Sequence, residues 1–273
     1  MRRALVVTAT ILFILACGGS GTSTTGFTIH FIDVGQGDAT LIVADTGEAL
    51  LIDGGRSKTR IRDRLTAMGV TDLDAIAATH ADADHIAGLV EVLKMYEIED
   101  IYLNAGSSDT QTFGNFMAGV NAEGAVVRVV SRGDVISLGP LEIVVVHPGE
   151  LTGDSNVDSM VLLLDCGEVE VLVTGDAEKA SESEMIAAGV LLDIDVLKVG
   201  HHGSRSSTSQ AFLDALQPEV GVISAGMNSQ YRHPHDEVVD LLIAAGVEIL
   251  ETDTTEGVDT VTMTSDCHSY DFG

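Results

Sequence analysis

Basic residues are scarce in this chain. It has 14 lysines and arginines against 42 aspartates and glutamates, which gives a formal net charge of −28 at pH 7. Binding along nucleic-acid phosphates depends on many lysine and arginine contacts, and so few cations argue against such a surface. The acidity is typical of anionic surfaces like those of halophilic proteins, or of acidic proteins outside the cytoplasm. It disfavours long nucleic acid as a partner and leaves the substrate open.

Tryptophan is absent, whereas glycine is frequent with 29 residues and apolar residues make up 45% of the chain. A length of 273 residues is enough for one large domain or two small ones with a substantial core. No long linker or low-complexity block follows residue 25. From Gly26 onward strand patterns alternate with helix patterns, and each half runs from a β-rich part to a βα-alternating part. This plan predicts an α/β fold in which two sheets pack face to face with helices outside.

A long hydrophobic run is missing as well. The largely apolar residues 4–16 are fewer than the roughly 20 that cross a bilayer, and they follow two arginines, which predicts a signal peptide over residues 1–16. The run ends in Leu15-Ala16-Cys17, which resembles a bacterial lipobox. We therefore expect an exported lipoprotein, anchored to the membrane through lipidated Cys17, with residues 17–25 as a flexible tether. The alternative is an ordinary signal peptide and a secreted protein.

Cysteine is the third scarce residue, with 3 in the chain. Besides Cys17 there are Cys166 and Cys267, which fall in different predicted strands. They form one disulfide or remain two buried thiols, because sequence alone does not establish their proximity.

The segment His80-Ala-Asp82-Ala-Asp84-His85 is the most informative part of the chain. It holds four potential metal ligands between the strand pattern of residues 75–79 and a helix pattern within residues 85–96, and a turn between strand and helix lets its side chains converge. Imidazoles and carboxylates without a thiolate suit Zn²⁺, Mn²⁺ or Fe rather than a structural zinc site. A charged helix N-terminus is the simpler alternative, but it explains only the aspartates.

Polar residues also follow four other predicted strands. They are Asp33 and Asp38 in a turn with two glycines, Asp53 before two glycines, Asp176 after a glycine, and the pair His201-His202 after Lys198. A helix cap or a satisfied polar residue explains each of them alone. Their joint occurrence would be a costly coincidence in a purely structural protein. We therefore predict one site that several strand ends build together.

These motifs, in this order, resemble the metallo-β-lactamase fold superfamily. Within it the chain is most similar to the hydrolase domain of the competence protein ComEC and its stand-alone relatives. This likeness lies in Asp33-Val-Gly-Gln-Gly-Asp38, Asn156-Val-Asp-Ser159 and Asn228-Ser-Gln-Tyr231-Arg-His233-Pro234. Arg232 stands where that turn is expected to carry glycine. The resemblance implies a four-layer αββα sandwich of two mixed β-sheets with helices outside, as one metallo-β-lactamase-like hydrolase domain over residues 26–273.

The resemblance also implies a ligand set for two divalent ions. His80 and Asp82 would hold one ion, Asp84 and His85 the other, and Asp176 would bridge both. The superfamily usually has histidine where Asp82 stands, and this harder ligand makes Mn²⁺ a competitor of Zn²⁺.

The remaining ligand positions are less direct. His202 is the predicted last ligand, with His201 as the alternative. The superfamily's middle histidine has no clear counterpart, so Asn156, which stands near its place, or His147 would complete the site. Asp53 is expected to orient a ligand histidine from behind.

The implied reaction is hydrolysis by a hydroxide that the two ions share. Asp84 would also orient this hydroxide, and Lys198 and His233 would contact the substrate or the leaving group. For Lys198 a surface ion pair is the alternative.

Three functions compete at this point. The first is hydrolysis of a phosphodiester, including nuclease activity, and the second is hydrolysis of another small ester or amide such as a phosphorylcholine ester or a lactam. The third is a non-catalytic surface lipoprotein that retains the fold. Bound dications and a basic stretch would recruit a short anionic substrate despite the net charge; that stretch comprises Arg56, Lys58, Arg60, Arg62 and Arg64.

Overall fold

A computed structural model of the chain describes residues 26–226, 231–252 and 260–273. The strands are β1 (Phe27–Ile32), β2 (Thr40–Ala44), β3 (Ala49–Ile52), β4 (Ala75–Ala78), β5 (Asp100–Leu103), β6 (Val126–Val129), β7 (Val135–Leu138), β8 (Leu141–His147), β9 (Val161–Cys166), β10 (Val169–Val173), β11 (Val196–Lys198), β12 (Val220–Ile223), β13 (Glu248–Glu251), β14 (Thr260–Ser265) and β15 (Tyr270–Phe272). The helices are α1 (Lys58–Ala67), α2 (Ala83–Ile86), α3 (Leu89–Met95), α4 (Gln111–Glu123), α5 (Lys179–Ala188), α6 (Gln210–Leu216) and α7 (Asp236–Ala245). A 3₁₀ turn covers Gly200–Gly203.

Local sequence explains where several of these elements begin. Hydroxyl groups cap three helices, because Ser57, Thr110 and Ser209 precede α1, α4 and α6 and each side chain accepts a hydrogen bond from the backbone N–H three residues later. Strand β1 buries every second side chain from Phe27 to Phe31 on one face, with the period of two that its sequence predicts.

The first sheet has eight strands in the order β15-β14-β1-β2-β3-β4-β5-β6. Neighbours are antiparallel from β15 to β3 and parallel from β3 to β6. Helices connect the parallel strands, as parallel pairing requires a crossover. The last strands of the chain complete this sheet beside its first strand, and Phe27 pairs with Ser265.

The second sheet has seven strands in the order β13-β12-β11-β10-β9-β8-β7. Neighbours are antiparallel from β7 to β10 and parallel from β10 to β13. The second half of the chain therefore repeats the plan of the first half, as the sequence predicts.

Three hydrophobic clusters separate the layers. The cluster between the sheets joins side chains such as Ile29 and Ile42 to Leu162 and Val171. A second cluster packs α1, α3 and α4 on the outer face of the first sheet, and a third packs α5, α6 and α7 on the outer face of the second. The predicted four-layer αββα sandwich of two mixed sheets is confirmed.

Two predicted elements differ in the structure. The strand pattern of residues 126–130 follows the last predicted helix of the first half and predicts a place in the second, antiparallel set of strands, but β6 lies at the edge of the first sheet, parallel to β5. The helix predicted over residues 85–96 is divided into α2 and α3. Gly88 lies at this division and packs on the Gly54 carbonyl, and a Cβ on Gly88 would lie 1.8 Å from that oxygen.

Cys166 and Cys267 form a disulfide, with Cα atoms 5.0 Å apart. Cys166 ends β9 in the second sheet, and Cys267 follows β14 in the first. Of the two alternatives that the sequence leaves open, the structure shows the bonded one, and the bond joins the two sheets.

Some predictions fall outside the described residues. These are the signal peptide over residues 1–16, the tether with Cys17, and Asn228 of the His233 turn. Within the described ranges, no helix combines the length and apolar character needed to cross a membrane.

Candidate metal centre

One end of the sandwich collects side chains from both sheets. His80 follows β4, and α2 carries Asp84 and His85, while Asp176 follows β10 and the histidine pair lies in the 3₁₀ turn after β11. Loops at the carboxyl ends of strands in α/β sheets commonly form binding sites, because the chain turns there around an open crevice. The structure thus brings the polar strand ends to one place, as the sequence predicts.

Asp176 lies between two pairs of histidines. Its Oδ1 is 3.2 Å from His85 Nε2 and 3.5 Å from His202 Nε2. Its Oδ2 is 3.6 Å from His201 Nε2 and 3.9 Å from His80 Nε2. Each carboxylate oxygen therefore faces its own pair of ring nitrogens. His201 and His202, which the sequence treats as alternatives, occupy separate places around the same carboxylate.

The two other aspartates of the His80 segment lie at opposite ends of this cluster. Asp84 Oδ2 is 3.9 Å from His202 Nε2 and accepts a hydrogen bond from Gln36 Nε2. Asp82 Oδ2 is 4.0 Å from His80 Nε2, and its Oδ1 accepts a hydrogen bond from a serine hydroxyl. The Asp82 side chain is 47% exposed, so it lies at the rim rather than inside the cluster.

The buried atoms around Asp176 have no hydrogen-bond partner of acceptable geometry. They are His80 Nε2, His85 Nε2, His202 Nε2 and Asp176 Oδ1. A buried polar atom without a partner costs about 1–3 kcal/mol, so four such atoms at one point indicate a shared ligand. Three sets of side chains among the described residues bring ligand atoms within 4.8 Å of one another: His80, His85 and Asp176; Asp84, His85 and His202; and Asp38, Asp176 and His202. This donor set fits two divalent ions.

The electrostatics of the cluster also call for positive charge. Burial lowers the pKa of His85, but the Asp176 and Asp53 carboxylates outweigh burial and raise it well above its ordinary value. Burial raises the pKa of Asp176, but His202 and His85 outweigh it and hold that pKa well below its ordinary value. The carboxylates therefore remain ionised, and protons on the histidines or bound cations balance them.

Asp53 supports two histidines from behind. Its Oδ2 lies 2.7 Å from His85 Nδ1 and accepts a hydrogen bond from the Thr79 hydroxyl, and its Oδ1 accepts the Thr79 backbone N–H. The Thr79 hydroxyl in turn lies 3.0 Å from His80 Nδ1. A carboxylate behind a ligand histidine fixes the ring and directs its other nitrogen forward. The position predicted for Asp53 agrees with this geometry.

Lys198 differs from its predicted place. It is fully buried, with its Nζ 2.8 Å from Asp38 Oδ2, so it is neither a substrate contact nor a surface ion pair. Asp38 Oδ1 lies 3.2 Å from His202 Nδ1. Burial raises the pKa of Asp38, but Lys198 and then His202 hold it below its ordinary value. Lys198 therefore balances the negative charge of Asp38. Asp38 in turn lies behind His202, and the sequence analysis did not predict this position for Asp38.

Residues 32–226 match the family model described as the metallo-beta-lactamase superfamily. The chain belongs to this superfamily. ComE operon protein 3 of Bacillus subtilis is 34% identical over 263 residues, which cover 89% of this chain and 33% of that protein. Recombination protein 2 of Haemophilus influenzae is 33% identical over 224 residues, which cover 78% of this chain and 26% of that protein. The chain thus spans a third or less of these relatives and is homologous to ComEC-type proteins.

The fold agrees with this membership. The solved metallo hydrolase Igni18 from Ignicoccus hospitalis superposes with a TM-score of 0.58 at 20% identity, covering 86% of this chain and 98% of that one. At this identity the likeness concerns the fold alone.

As a member of the superfamily, the chain would need a counterpart of the middle histidine. His147 does not supply it, because its Nδ1 lies 2.9 Å from Ser159 O and its Nε2 lies 3.8 Å from Glu184 Oε2. Asn156 has a buried Oδ1 without a hydrogen bond, and the neighbouring Ser155 donates to Asp82. Asn156 as a ligand stays a prediction, whereas His201 lies directly at Asp176.

Ser159 is a further residue that the sequence analysis did not single out for this centre. Its hydroxyl lies 3.2 Å from His80 Nδ1 and accepts the Asp176 backbone N–H. It therefore connects one ligand of each sheet. The signal for it was its place in the Asn-x-x-Ser motif.

His233 lies against the histidine pair, with ring centroids 5.6 Å from His201 and 6.0 Å from His202. The Tyr231 ring stacks on it at 5.8 Å. Burial, followed by His202 and His201, lowers the pKa of His233 to about 4, so the ring is neutral at neutral pH. Its predicted contact with a substrate or leaving group is compatible with this place.

A cavity of about 240 Å³ opens beside His80 and Asp82. Its lining is mixed, with polar residues such as Asn104 and Ser155 beside the apolar Leu151, and it includes neither lysine nor arginine. The superfamily's metal centre is thus accessible from the His80 end.

Proposed function

We propose that this metal-dependent hydrolase cleaves a phosphodiester bond with two divalent ions, Zn²⁺ or Mn²⁺, bound around Asp176. The observation that carries the proposal is the arrangement of that carboxylate. Each of its oxygens faces two ring nitrogens, and the buried ligand atoms have no other partner. Two adjacent ions form a clamp for the attacking and leaving oxygens of an in-line displacement, which suits a phosphodiester.

The donor set and the relatives support this substrate class. Carboxylates of Asp82, Asp84 and Asp176 make the centre hard, and hard cations pair well with phosphate oxygens. The name of the Haemophilus influenzae relative refers to recombination, which favours a phosphodiester backbone over a lactam. The substrate we propose is short, since the net charge disfavours long polyanions.

Divalent ions bound here would supply a nucleophile at neutral pH and stabilise charge that develops on the substrate. The chain's own residues prepare the ligands. Asp53 accepts a hydrogen bond from His85 Nδ1, and the Ser224 carbonyl accepts one from His202 Nδ1, with Asp38 Oδ1 3.2 Å from the same nitrogen, so both Nε2 atoms would be left to bind the ions. His233 lies beside the histidine pair as a neutral imidazole, which can form a hydrogen bond with the leaving group.

We also propose that the domain works outside the cytoplasm, attached to the membrane by lipidated Cys17. The disulfide between Cys166 and Cys267 supports this place, because such bonds persist in oxidising compartments. The alternative is secretion without an anchor, and fractionation of Cys17→Ser distinguishes the two locations.

The function is tested with metal-free protein reconstituted with Mn²⁺ or Zn²⁺. The substrates are bis(p-nitrophenyl) phosphate, a short single-stranded DNA and nitrocefin, and the parent is compared with Asp176→Ala and with Asp74→Asn. Asp74 is a matched control, since its carboxylate binds the Ala49 N–H away from the centre. We expect the parent and the control to cleave the phosphodiesters and Asp176→Ala to be inactive. Cleavage of nitrocefin alone would move the function to amides, and full metal loading without any cleavage would favour a binding protein.

A further inference from the structure

Most basic side chains of the described residues are engaged in ion pairs. Those that pair with a carboxylate within 4.0 Å are Arg60, Arg62, Arg64, Lys94, Arg128, Arg132, Lys198 and Arg205. Lys179 Nζ donates to a backbone carbonyl. Across residues 26–226, 231–252 and 260–273, only Arg56, Lys58 and Arg232 have neither an ion pair nor a side-chain hydrogen bond. In a chain with three acidic residues for each basic one, unpaired cations are unusual.

Arg56 lies one contact away from the metal centre. Its backbone N–H donates to Gln36 O, and the Gln36 side chain donates to Asp84 Oδ2. The Arg56 side chain is exposed. The backbone of Arg56 is therefore joined through Gln36 to Asp84, which lies 3.9 Å from His202 Nε2.

Arg232 lies beside the histidine pair. It precedes His233, whose ring lies 5.6 Å from that of His201 and 6.0 Å from that of His202. Further back in the chain, Gly226 packs on the Gly35-Gln36 backbone, and a Cβ on Gly226 would lie 2.4 Å from the Gly35 carbonyl carbon. The turn that Arg56 touches is thus in contact with Gly226.

The backbone of Arg232 is strained. Its φ is +59°, a left-handed conformation that glycine adopts freely and arginine does not. Strained residues persist where the surrounding structure holds them, and they cluster at functional sites. The exposed Arg232 side chain makes no ion pair or hydrogen bond with the described part of the chain that would offset the free-energy cost of this backbone conformation. We take this as an indication that the side chain contacts a ligand.

The structure also corrects the basic stretch predicted from the sequence. Arg60 and Arg64 both bind Asp33, and Arg62 binds Asp63. Of the residues 56–64, only Arg56 and Lys58 keep their charge unpaired. The cations available to an anion are therefore Arg56 and Lys58 at the start of α1 rather than a patch along the helix.

We propose that Arg56 and Arg232 determine substrate specificity by binding a second anionic group of the substrate, next to the phosphodiester at the metal centre. The proposal rests on the phosphodiesterase function above. The second anion would lie on the side of Gln36 and His233, away from the cavity of about 240 Å³ that opens beside His80. The acidic surface would repel an anionic substrate, whereas the two arginines would attract its second anionic group, and together they would orient the substrate before it reaches the ions.

Two chromogenic esters test this assignment, since they differ only in one phosphate. Thymidine 5′-(p-nitrophenyl phosphate) carries the diester alone, and its 3′-phosphorylated form carries an additional phosphate. Each of Arg56→Gln and Arg232→Gly should lower kcat/KM on the phosphorylated ester about fivefold. On the simple ester both variants should stay within about twofold of the parent. Because glycine accepts a positive φ without strain, Arg232→Gly should melt at the same temperature as the parent or higher.

Binding of a fluorescent single-stranded trinucleotide to the metal-loaded protein is measured in parallel by anisotropy at several salt concentrations. Each variant should lower the slope of log affinity against log salt by about 0.7. The control is Arg62→Gln, which removes the same charge from a paired residue. If Arg62→Gln weakens binding equally, the effect is one of net charge and the assignment is wrong. Parent-like kinetics of both variants on the phosphorylated ester would also overturn it. If neither ester is cleaved while Arg56→Gln and Arg232→Gly still weaken trinucleotide binding, the anion site stands and the phosphodiesterase function falls.

Discussion

The contact between Asp53 and His85 allows a test of how the centre is held together. In Asp53→Asn one carboxylate oxygen becomes an NH₂ group, and two of the three groups now bound by Asp53 are the Thr79 N–H and hydroxyl. The amide has a single acceptor oxygen. If that oxygen serves Thr79, the NH₂ group faces His85 Nδ1 at the present distance of 2.7 Å. The imidazole must then present the opposite tautomer, with its proton on Nε2 where it would bind metal.

The magnitude follows from the role of such supporting groups. Loss of the partner behind a ligand histidine lowers metal affinity about 10- to 100-fold, which corresponds to roughly 1.4–2.8 kcal/mol. A separate loss of about 1–3 kcal/mol in the stability of the metal-free protein is expected, because a buried donor of Thr79 or His85 is left unsatisfied. The two effects must therefore be measured separately.

Metal affinity is measured by competition with a chromophoric chelator, and folding by near-UV circular dichroism and thermal melting of the metal-free protein. Asp74→Asn is the matched control, since it also replaces a carboxylate that accepts a backbone N–H and it lies away from the histidines. We expect the control to bind metal like the parent. A folded Asp53→Asn protein whose affinity stays within twofold of the parent would refute the reasoning, because Asp53 would then serve the fold only.

Four further results are expected. Elemental analysis should find two equivalents of transition metal in the parent and depletion at both positions in Asp176→Ala, and less than one equivalent in reconstituted parent would remove the two-ion centre. Asp82→His should raise activity with Zn²⁺ relative to Mn²⁺ at matched occupancy; an unchanged ratio would place Asp82 outside the ligand set. Burial, followed by Asp195, raises the pKa of Glu170 to about 7, so the folded state holds more protons than the unfolded one and stability declines as the pH rises from about 4.5 to about 7. Since Glu170 is only partly buried and water screens its charge, Glu170→Gln should gain only about 1 kcal/mol at pH 8 and nothing at pH 5, and equal gains at both pH values in thermal melts would contradict this cause. Cys17→Ser should move the protein from the membrane to the soluble extracytoplasmic fraction, and unchanged fractionation would exclude the lipid anchor.

The layers of the fold could be predicted because they depend on local patterns. Alternating apolar residues in β1 and the strand–turn–helix motifs report which face of each element is buried. Pairing partners are different, because nothing within residues 126–129 states which sheet they join. Strand β6 exposes all four of its side chains, so its place depends on the α4 crossover and on β5 rather than on its own sequence.

The candidate site shows the same division. His80, Asp84, His85 and Asp176 could be identified because each stands at a strand end in a motif with few structural explanations. The environment of Lys198 could not, since its partner Asp38 is 160 residues away and belongs to the other sheet. For the same reason the separate positions of His201 and His202 could be assigned only once the position of Asp176 was known. The unpaired state of Arg56 became visible only once Asp33 was seen to bind its basic neighbours.

The direction of β1 determines how the domain faces its surroundings. The strand runs from Phe27, which pairs with Ser265 at one end of the first sheet, to Ile32 and the turn of Asp38 at the other. Six extended residues cover about 20 Å. Any segment that leads into Phe27 therefore joins the domain at the end opposite to the metal centre, where β15 begins its pairing with β14 and the disulfide lies. If the domain were tethered there, its metal centre would face away from the point of attachment and toward the surrounding medium.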